Sequence, residues 1–183
     1  MADGISTASV ELLRLTSLQH EDVPKLMAIY RESDRYNANV LFPHLDPAEA
    51  YRRAETRLVE FLNERFFTAP GRVLAVLVQD DEWICALRYT VLDDQWFIEG
   101  VETRPDRRRE RAATRMFQKL IETIDHPTEL RLFVPKTNNR SLCFHRSLGF
   151  EIVATSPVHP VLGTVSEGRY DMRLRIDPEN MSI

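Results

Sequence analysis

The sequence predicts a single α+β domain whose central sheet contains an antiparallel meander. Three consecutive strand-like segments, 72–79, 83–92 and 95–103, are separated only by short acidic turns, as adjacent antiparallel strands are. Helical patterns before and after the meander give the element order β-α-α-β-β-β-α-β-α-β-β. The 183 residues are 43% hydrophobic and 28% charged, which suits one globular core.

The N-terminal part of the domain begins with a strand and a helix. Residues 10–15 alternate weakly between apolar and polar types, as a strand does. Glu21 and Asp22 place negative charge where the first turn of a helix attracts it. The apolar stripe that follows ends near Tyr30, and we expect residues 36–45 to form a loop with exposed apolar side chains.

A second helix begins at a strong capping sequence. Asp46 is a good N-cap, Pro47 suits the first helical position, and Glu49 supports the first turn. We expect this helix to run to about Phe66, before the breakers at 69–71.

The chain after the meander is predicted to alternate between helices and strands. The elements are a helix at 107–124, a strand at 129–134, a short helix at 139–148, and strands at 150–156 and 168–176. The domain should therefore cover residues 10–177, between loose tails at 1–9 and 178–183.

Composition argues against several classes of protein. The formal net charge of −4 argues against a general nucleic-acid binder, which is usually basic. The apolar runs are too short to span a membrane, and the N-terminus lacks the features of a signal peptide. Cys85 and Cys143 form no metal-ligand pattern. We expect a cytoplasmic protein with reduced thiols and no metal site.

Six arginines lie between Arg104 and Arg115 of this acidic chain. With Asp106 and Glu110 they carry a charge of +4, so the rest of the chain carries −8. The run falls at the predicted start of a helix, directly after a strand, where free backbone N–H groups bind phosphate. A solvated helix face, a phosphate cradle and a nucleic-acid arm all fit the run taken alone.

Two segments resemble motifs of the GNAT superfamily of N-acetyltransferases. The first resembles the acetyl-CoA signature V-x-P-x-x-(R/Q)-x-x-G-x-(G/A). Thr103 falls on the Val, and Pro105 falls on the Pro. Arg108 falls on the Arg/Gln, and Ala113 on the final Gly/Ala. Arg111 stands where the first glycine is expected, which is a departure from the signature.

The second segment, 138–153, resembles the motif N-x-x-(A/S)-(I/L)-x-F-Y-x-x-x-G-F. The matching positions are Asn138, Ser141, Leu142, Phe144, Gly149 and Phe150. His145 occupies the position of the Tyr. The resemblance covers about residues 10–176. It implies the GNAT acyl-CoA N-acyltransferase fold, with a mixed, mostly antiparallel sheet that is flanked by helices and splayed between its fourth and fifth strands.

The resemblance implies direct transfer of an acetyl group from acetyl-CoA to an amine. We expect the acceptor to be a primary amine of a small molecule. Two alternatives within the family stay open: acetylation of a protein or peptide amine, and a domain that binds CoA without turnover. Arg111 and His145 keep the second one open. We expect no nucleic-acid or membrane partner, and a homodimer is compatible with the resemblance.

The resemblance places acetyl-CoA between the fourth and fifth strands. The Thr103 N–H would face the acetyl carbonyl oxygen as an oxyanion donor, and the amides of 108–113 would hold the pyrophosphate. The side chain of Asn138 would reach the pantetheine. The full set of predicted cofactor-binding residues is Thr103, Arg104, Arg108, Arg109, Glu110, Arg111, Ala112, Ala113, Asn138 and Ser141.

Glu99 and Glu102 are the candidate general bases, and His145 is the candidate acid. An amine with a pKa near ~10.4 must lose a proton before it can attack. Three positions apart on a strand, the two glutamates should lie on opposite faces, and Glu99 is preferred. His145, as an imidazolium, would protonate the departing sulfur in place of the Tyr.

The family builds its acceptor site from the first two helices, their connecting loop and the last strands. In this chain those segments are 33–47 and 156–168. Their candidate wall residues are Tyr36, Phe42, His44 and His159. The acidic chain favours a cationic amine.

Overall fold

One sheet of seven strands forms the centre of the computed structural model, which describes residues 9–179. The strands are β1 (Val10–Leu15), β2 (Arg72–Gln79), β3 (Glu82–Leu92), β4 (Gln95–Thr103), β5 (Thr128–Pro135), β6 (Glu151–Thr155) and β7 (Arg169–Ile176). Their order across the sheet is β1-β2-β3-β4-β5-β7-β6. Only β4 and β5 pair in parallel among the described strands, which confirms the predicted mixed, mostly antiparallel sheet. The predicted tails, 1–9 and 178–183, lie almost wholly outside the described residues.

Four α-helices flank this sheet within the same described residues. They are α1 (Val23–Leu41), α2 (Pro47–Phe61), α3 (Ala112–Ile121) and α4 (Asn139–Ser147). Short 3-10 turns precede α1 and α3, and a π-helical turn, Leu62–Phe66, continues α2 to the predicted end. Between residues 9 and 179 no helix has the length and apolar character needed to cross a bilayer. The order of helices and strands is the predicted one.

The two faces of the sheet bury different side chains. Val73, Ala75 and Leu77 of β2 join the cluster formed with α3, whereas Leu74 and Val76 join the cluster formed with α1. This alternation is the period-two geometry of a strand. Because both faces of β2 and β3 are covered, these strands read as nearly continuous apolar runs.

The first helix is longer than predicted. Residues 36–41 are helical and not part of a loop, so the expected 36–45 loop shrinks to the segment before Pro47. Ala38 is buried against Ala50 and Ala54, where α1 and α2 approach closely. This packing stabilises a helical turn whose two asparagines would otherwise favour a loop.

The third helix is shorter than the predicted 107–124. It begins at Ala112, because Arg111 has φ 58° and ψ 23°, a left-handed conformation that cannot lie inside a right-handed helix. Arg109 also has a positive φ of 68°. The chain between β4 and α3 is therefore an irregular loop that turns into the helix.

Candidate active site

β4 and β5 separate after four paired residues. Their pairing ends at Ile98 and Leu132, and the register continues no further along either strand. A cavity of about 920 Å³ opens at this fork, bounded by both strand ends and by the starts of α3 and α4. The fork agrees with the predicted splay between the fourth and fifth strands. It leaves backbone N–H and C=O groups that a bound molecule can pair with.

A β-bulge lies in β4 beside the fork. The pairing of β3 with β4 shifts by one residue between Ala86 and Arg88, so β4 carries an extra residue near Gly100. Gly100 has φ +59°, and a Cβ there would lie 2.6 Å from a guanidinium nitrogen of Arg88. Glycine suits the bulge because it accepts this conformation and leaves room for the arginine.

The bulge changes which way the two candidate bases face. Glu99 pairs with Arg88 and Glu102 pairs with Ala86, two positions on one face of β3. Both glutamates therefore lie on the face covered by α1 and α2, and both line the large cavity. The prediction of opposite faces is wrong, because the extra residue at Gly100 shifts the alternation by one position.

The Thr103 N–H points into the fork. The Arg104 N–H donates to the Ile84 carbonyl at 2.9 Å. Successive N–H groups of a strand point to opposite edges, so the N–H of Thr103 is directed away from β3. The Thr103 hydroxyl is separately engaged, since it donates to Cys85 Sγ at 3.6 Å. The free N–H has the position expected of an oxyanion donor.

α3 presents an uncapped N-terminus to the cavity. No side chain caps the helix, and its first backbone hydrogen bond runs from the Arg115 N–H to the Arg111 carbonyl at 2.9 Å. The N–H groups of 112–114 therefore have no acceptor within the helix, and these residues line the cavity. With the left-handed turns at Arg109 and Arg111, these N–H groups suit a phosphate.

The six arginines of the run separate into two groups. Four are held by neighbours: Arg104 by Glu82 and Asp106, Arg107 by Glu110, Arg108 by Glu32, and Arg115 by Gln79. Arg109 and Arg111 make no ion pair within residues 9–179, and both line the cavity. The two arginines that make no ion pair in the described residues thus lie beside the uncapped N-terminus of α3.

Most residues predicted for the acetyl-CoA site border this one cavity. Those that do are Thr103, Arg108, Arg109, Arg111, Ala112, Ala113, Asn138 and Ser141. Arg104 and Glu110 do not line it, and each is ion-paired with a neighbour in the loop. Asn138 is the N-cap of α4, and its side-chain oxygen accepts from the Ser141 N–H at 3.0 Å. The amide NH₂ of Asn138 remains available to a ligand.

His145 is buried among aromatic rings. Its Nδ1 lies 2.8 Å from the Ser141 carbonyl oxygen, so Nδ1 carries the hydrogen. Its Nε2 is buried and has no partner within the described chain. Burial lowers the pKa of His145, only partly opposed by the bond to Ser141. A neutral imidazole is a poor acid, so the geometry does not support the predicted role as an imidazolium.

Glu99 faces a histidine of the loop between β6 and β7. His159 Nε2 lies 3.7 Å from Glu99 Oε1. The N–H groups of Val161 and Leu162 both donate to His159 Nδ1, at 3.2 Å each. Since Nδ1 accepts these bonds, Nε2 of the neutral ring carries the hydrogen and points toward the carboxylate. Phe97 stacks edge-on against the ring, with centroids 4.7 Å apart.

Glu102 lies deeper than Glu99, toward α1. Burial raises the pKa of Glu102, and the guanidinium groups of Arg108 and Arg88 oppose that rise. A carboxylate with a raised pKa is better matched to accepting a proton from an amine than an ordinary surface glutamate is. The large cavity thus contains two carboxylates with different surroundings.

Three of the four predicted acceptor residues lie elsewhere. Tyr36 is 71% exposed on the outer side of α1, and Phe42 packs against the Ala38 cluster. His44 lies in the turn before α2. These three line neither the large cavity nor the smaller one beside α2. Of the four predicted residues, only His159 borders the large cavity. Other residues of its loop border this cavity as well.

Sequence reasoning overlooked two charged residues near the site. Arg88 lies within the apolar run of β3, and its guanidinium packs over Phe61 at 5.4 Å from the ring centroid. Asp34 lies four positions after Tyr30 and four before Ala38, all on the buried side of α1. A charge at a buried helical spacing is the pattern that could have identified Asp34.

The sequence profile of the Acetyltransferase (GNAT) family matches residues 26–150, which is more than half of the chain. A search of curated protein sequences gives no significant match.

Solved structures with the same fold cover nearly the whole chain. The PaiA N-acetyltransferase from Thermoplasma acidophilum, in complex with coenzyme A, is 16% identical with a TM-score of 0.54, covering 90% of this chain and 98% of that one. The ribosomal-protein-S18-alanine N-acetyltransferase from Escherichia coli is 18% identical with a TM-score of 0.55, covering 96% and 100%. The aminoglycoside 6'-acetyltransferase type Ii is 16% identical with a TM-score of 0.60, covering 92% and 98%. At these identities the likeness establishes the fold.

Proposed function

This chain belongs to the GNAT family of acetyltransferases, and from that premise we propose that it transfers the acetyl group of acetyl-CoA directly to a primary amine of a small molecule. The observation that carries the proposal is the fork between β4 and β5. It places unpaired strand backbone, the uncapped start of α3 and two carboxylates around one cavity. Such a cavity suits an extended anionic ligand and a reacting amine.

Acetyl-CoA supplies the acetyl group as an activated thioester. The first-turn N–H groups of α3, with Arg109 and Arg111, would hold its pyrophosphate. The free backbone of β4 and the amide of Asn138 would pair with the pantetheine arm. The Thr103 N–H would then face the acetyl carbonyl oxygen. The coenzyme A complex of the Thermoplasma PaiA enzyme supports a CoA ligand for this fold.

The amine must lose a proton as it attacks, and Glu99 is the proposed general base. It lies beside the fork, and the Nε2–H of His159 is directed at its carboxylate from 3.7 Å, an electrostatic contact longer than a hydrogen bond. His159 is in turn fixed by two backbone N–H groups, so the pair is ordered before the acceptor arrives. Glu102 is the alternative base, because the bulge turns it toward the same cavity.

No acidic side chain is proposed at the sulfur of the leaving group. His145 has the position of the usual Tyr, but it donates its Nδ1–H to the chain and its buried Nε2 carries no proton. Solvent would therefore supply the proton to the thiolate, which is stable enough as a leaving group to depart without one.

A small acceptor is favoured by the loop between β6 and β7. His159, Leu162 and Thr164 of this loop line one side of the cavity. A protein or peptide amine remains the alternative, as the ribosomal-protein enzyme of the same fold illustrates. We also propose that the protein acts in the cytoplasm, without nucleic acid.

The first test is calorimetric titration of the protein with acetyl-CoA and with desulfo-CoA. The wild type should bind both, and Arg109→Glu should weaken binding by roughly tenfold or more, since a charge-assisted contact contributes about 1.5–3 kcal/mol. The matched control is Arg35→Glu, an exposed arginine that lines neither cavity. It should bind as the wild type does.

Acceptor screening follows, with release of free CoA thiol as the readout. Turnover with small primary amines supports the proposal. Turnover only with peptide amines would move the function to protein acetylation, and binding without any turnover would indicate a CoA-binding domain. Failure of the wild type to bind acetyl-CoA would overturn the proposal altogether.

A further inference from the structure

A second, smaller cavity lies between α1, α2 and the bulge of β4. Its volume is about 310 Å³. It shares Arg88, Gly100 and Glu102 with the large cavity, so the two compartments adjoin at the bulge. A molecule whose amine reaches the fork can therefore extend toward the helices.

Asp34 of α1 lines this smaller cavity. The residue is only 2% exposed, and its Oδ2 is buried with no hydrogen-bond partner in the described chain. The neighbouring Tyr30 is already engaged, because its hydroxyl donates to the Gly100 carbonyl at 3.1 Å. A buried carboxylate oxygen without a partner costs free energy unless a ligand satisfies it.

The charges nearest Asp34 have its own sign. Burial, together with the nearby carboxylates of Glu55 and Glu102, raises the pKa of Asp34 to about 7. The guanidinium of Arg88 acts to lower the pKa of Glu102, and it packs over the rings of Phe61 and Phe66. Arg57 borders the cavity from an exposed position. A positively charged ligand group would relieve this like-charge cluster.

Part of the cavity wall is apolar. Leu41, Ala54, Leu58 and Phe61 contribute hydrocarbon surface, while Ser33 and Asn37 of α1 add polar groups. The hydrocarbon surface fits methylene groups. The smaller cavity therefore offers apolar contact to a spacer and a buried carboxylate to a cation.

We propose that the acceptor is an α,ω-diamine or a related molecule with two cationic groups on an apolar spacer, and that its second cation binds Asp34. One amine lies at the fork near Glu99 and the other lies in the smaller cavity. This inference rests on the proposed acetyl transfer for the identity of the first site. It adds the substrate class, which the family does not specify.

The test is direct binding of diamines to the protein saturated with CoA. Calorimetry compares α,ω-diamines of three to six carbons with n-butylamine, which has one amine and an apolar end. The best diamine should bind at least about tenfold more tightly than n-butylamine, as expected for one charge-assisted contact. In Asp34→Asn this preference should disappear. Glu60→Gln, an exposed acid of α2 that lines neither cavity, should retain it.

Equal binding of diamine and monoamine by the wild type would overturn the inference, and so would a preference that survives in Asp34→Asn. A parallel assay of acetyl transfer to n-butylamine separates this inference from the proposed function. Acetyl transfer without any preference for diamines would refute the proposed binding of a second cation at Asp34 and would leave the proposed acetyltransferase activity intact. A preference abolished by Asp34→Asn, with no transfer to any amine, refutes the acetyltransferase and keeps the site.

Discussion

Glu99 and Glu102 lie on the same face of β4 although they are three positions apart in the chain. The β-bulge at Gly100 adds one residue to β4 between them, so both side chains lie on the same face of the sheet. Two carboxylates then border one cavity, one beside His159 and the other beside Arg108 and Arg88. Only the first has a partner fixed to the β6–β7 loop.

The two glutamates can be separated by their amide variants. Glu99→Gln should lower kcat by about 100-fold, the usual contribution of a general base, and leave the dissociation constant of acetyl-CoA unchanged. Glu102→Gln should lower kcat less. Steady-state kinetics with acetyl-CoA saturating gives the comparison. A larger loss in Glu102→Gln would assign the base to Glu102.

His159 should act by positioning Glu99. His159→Phe keeps a ring against Phe97 but removes the Nε2–H that faces the carboxylate. We expect kcat to fall by roughly tenfold, because the carboxylate of the base loses the polar group that faces it. The dissociation constant of acetyl-CoA should not change. Val165→Ala, an exposed position of the same loop, should leave both values unchanged. An unaltered kcat in His159→Phe would contradict the positioning role.

Local sequence patterns predicted the elements that depend on local chemistry. The cap at Asp46 accepts from the N–H groups of Ala48 and Glu49, so helix α2 begins at Pro47 as expected. The apolar runs of β2 and β3 also defined those strands to within a residue. Such features could be predicted because neighbouring residues alone determine them.

Features that depend on distant contacts could not be predicted in the same way. The last turns of α1 depend on Ala38 meeting α2, a contact between residues far apart in the chain. The face of the sheet on which Glu99 and Glu102 lie depends on the register of β4 against β3. Gly100 was the only local indication of that register. Most residues of the two motifs that were predicted to bind acetyl-CoA border the large cavity, but the motifs contained no information about Asp34.

Arg111 should carry backbone strain that can be relieved. Its φ of 58° is a conformation that glycine adopts freely and other residues adopt at a cost of about 1 kcal/mol or more. Arg111→Gly should therefore raise the free energy of unfolding by about 0.5–1 kcal/mol, and Arg111→Val should lower it. Urea denaturation measures both.

A glycine placed inside helix α3 gives the control for that effect. Gln118 is exposed in the middle of α3, and Gln118→Gly should cost about 1 kcal/mol. If Arg111→Gly were destabilising by a similar amount, the left-handed conformation at 111 would not be strained.

Asp34 should make the stability of the folded protein depend on pH. Its pKa is about 7 in the folded state, against an ordinary value near 3.9 in the unfolded chain. Between these values the folded state binds more protons than the unfolded state, so stability falls as the pH rises from about 4 to 7. The loss should be on the order of 2 kcal/mol after allowance for partial solvation.

Asp34→Asn cannot titrate and should lack this loss. We expect the variant to be more stable than the wild type at pH 8, with the difference shrinking toward pH 4. Urea denaturation of both proteins across this range gives the measurement. The contributions of His145 and Glu102, whose pKa values are also shifted, largely cancel in the comparison. A difference that stays constant with pH would mean that folding does not raise the pKa of Asp34.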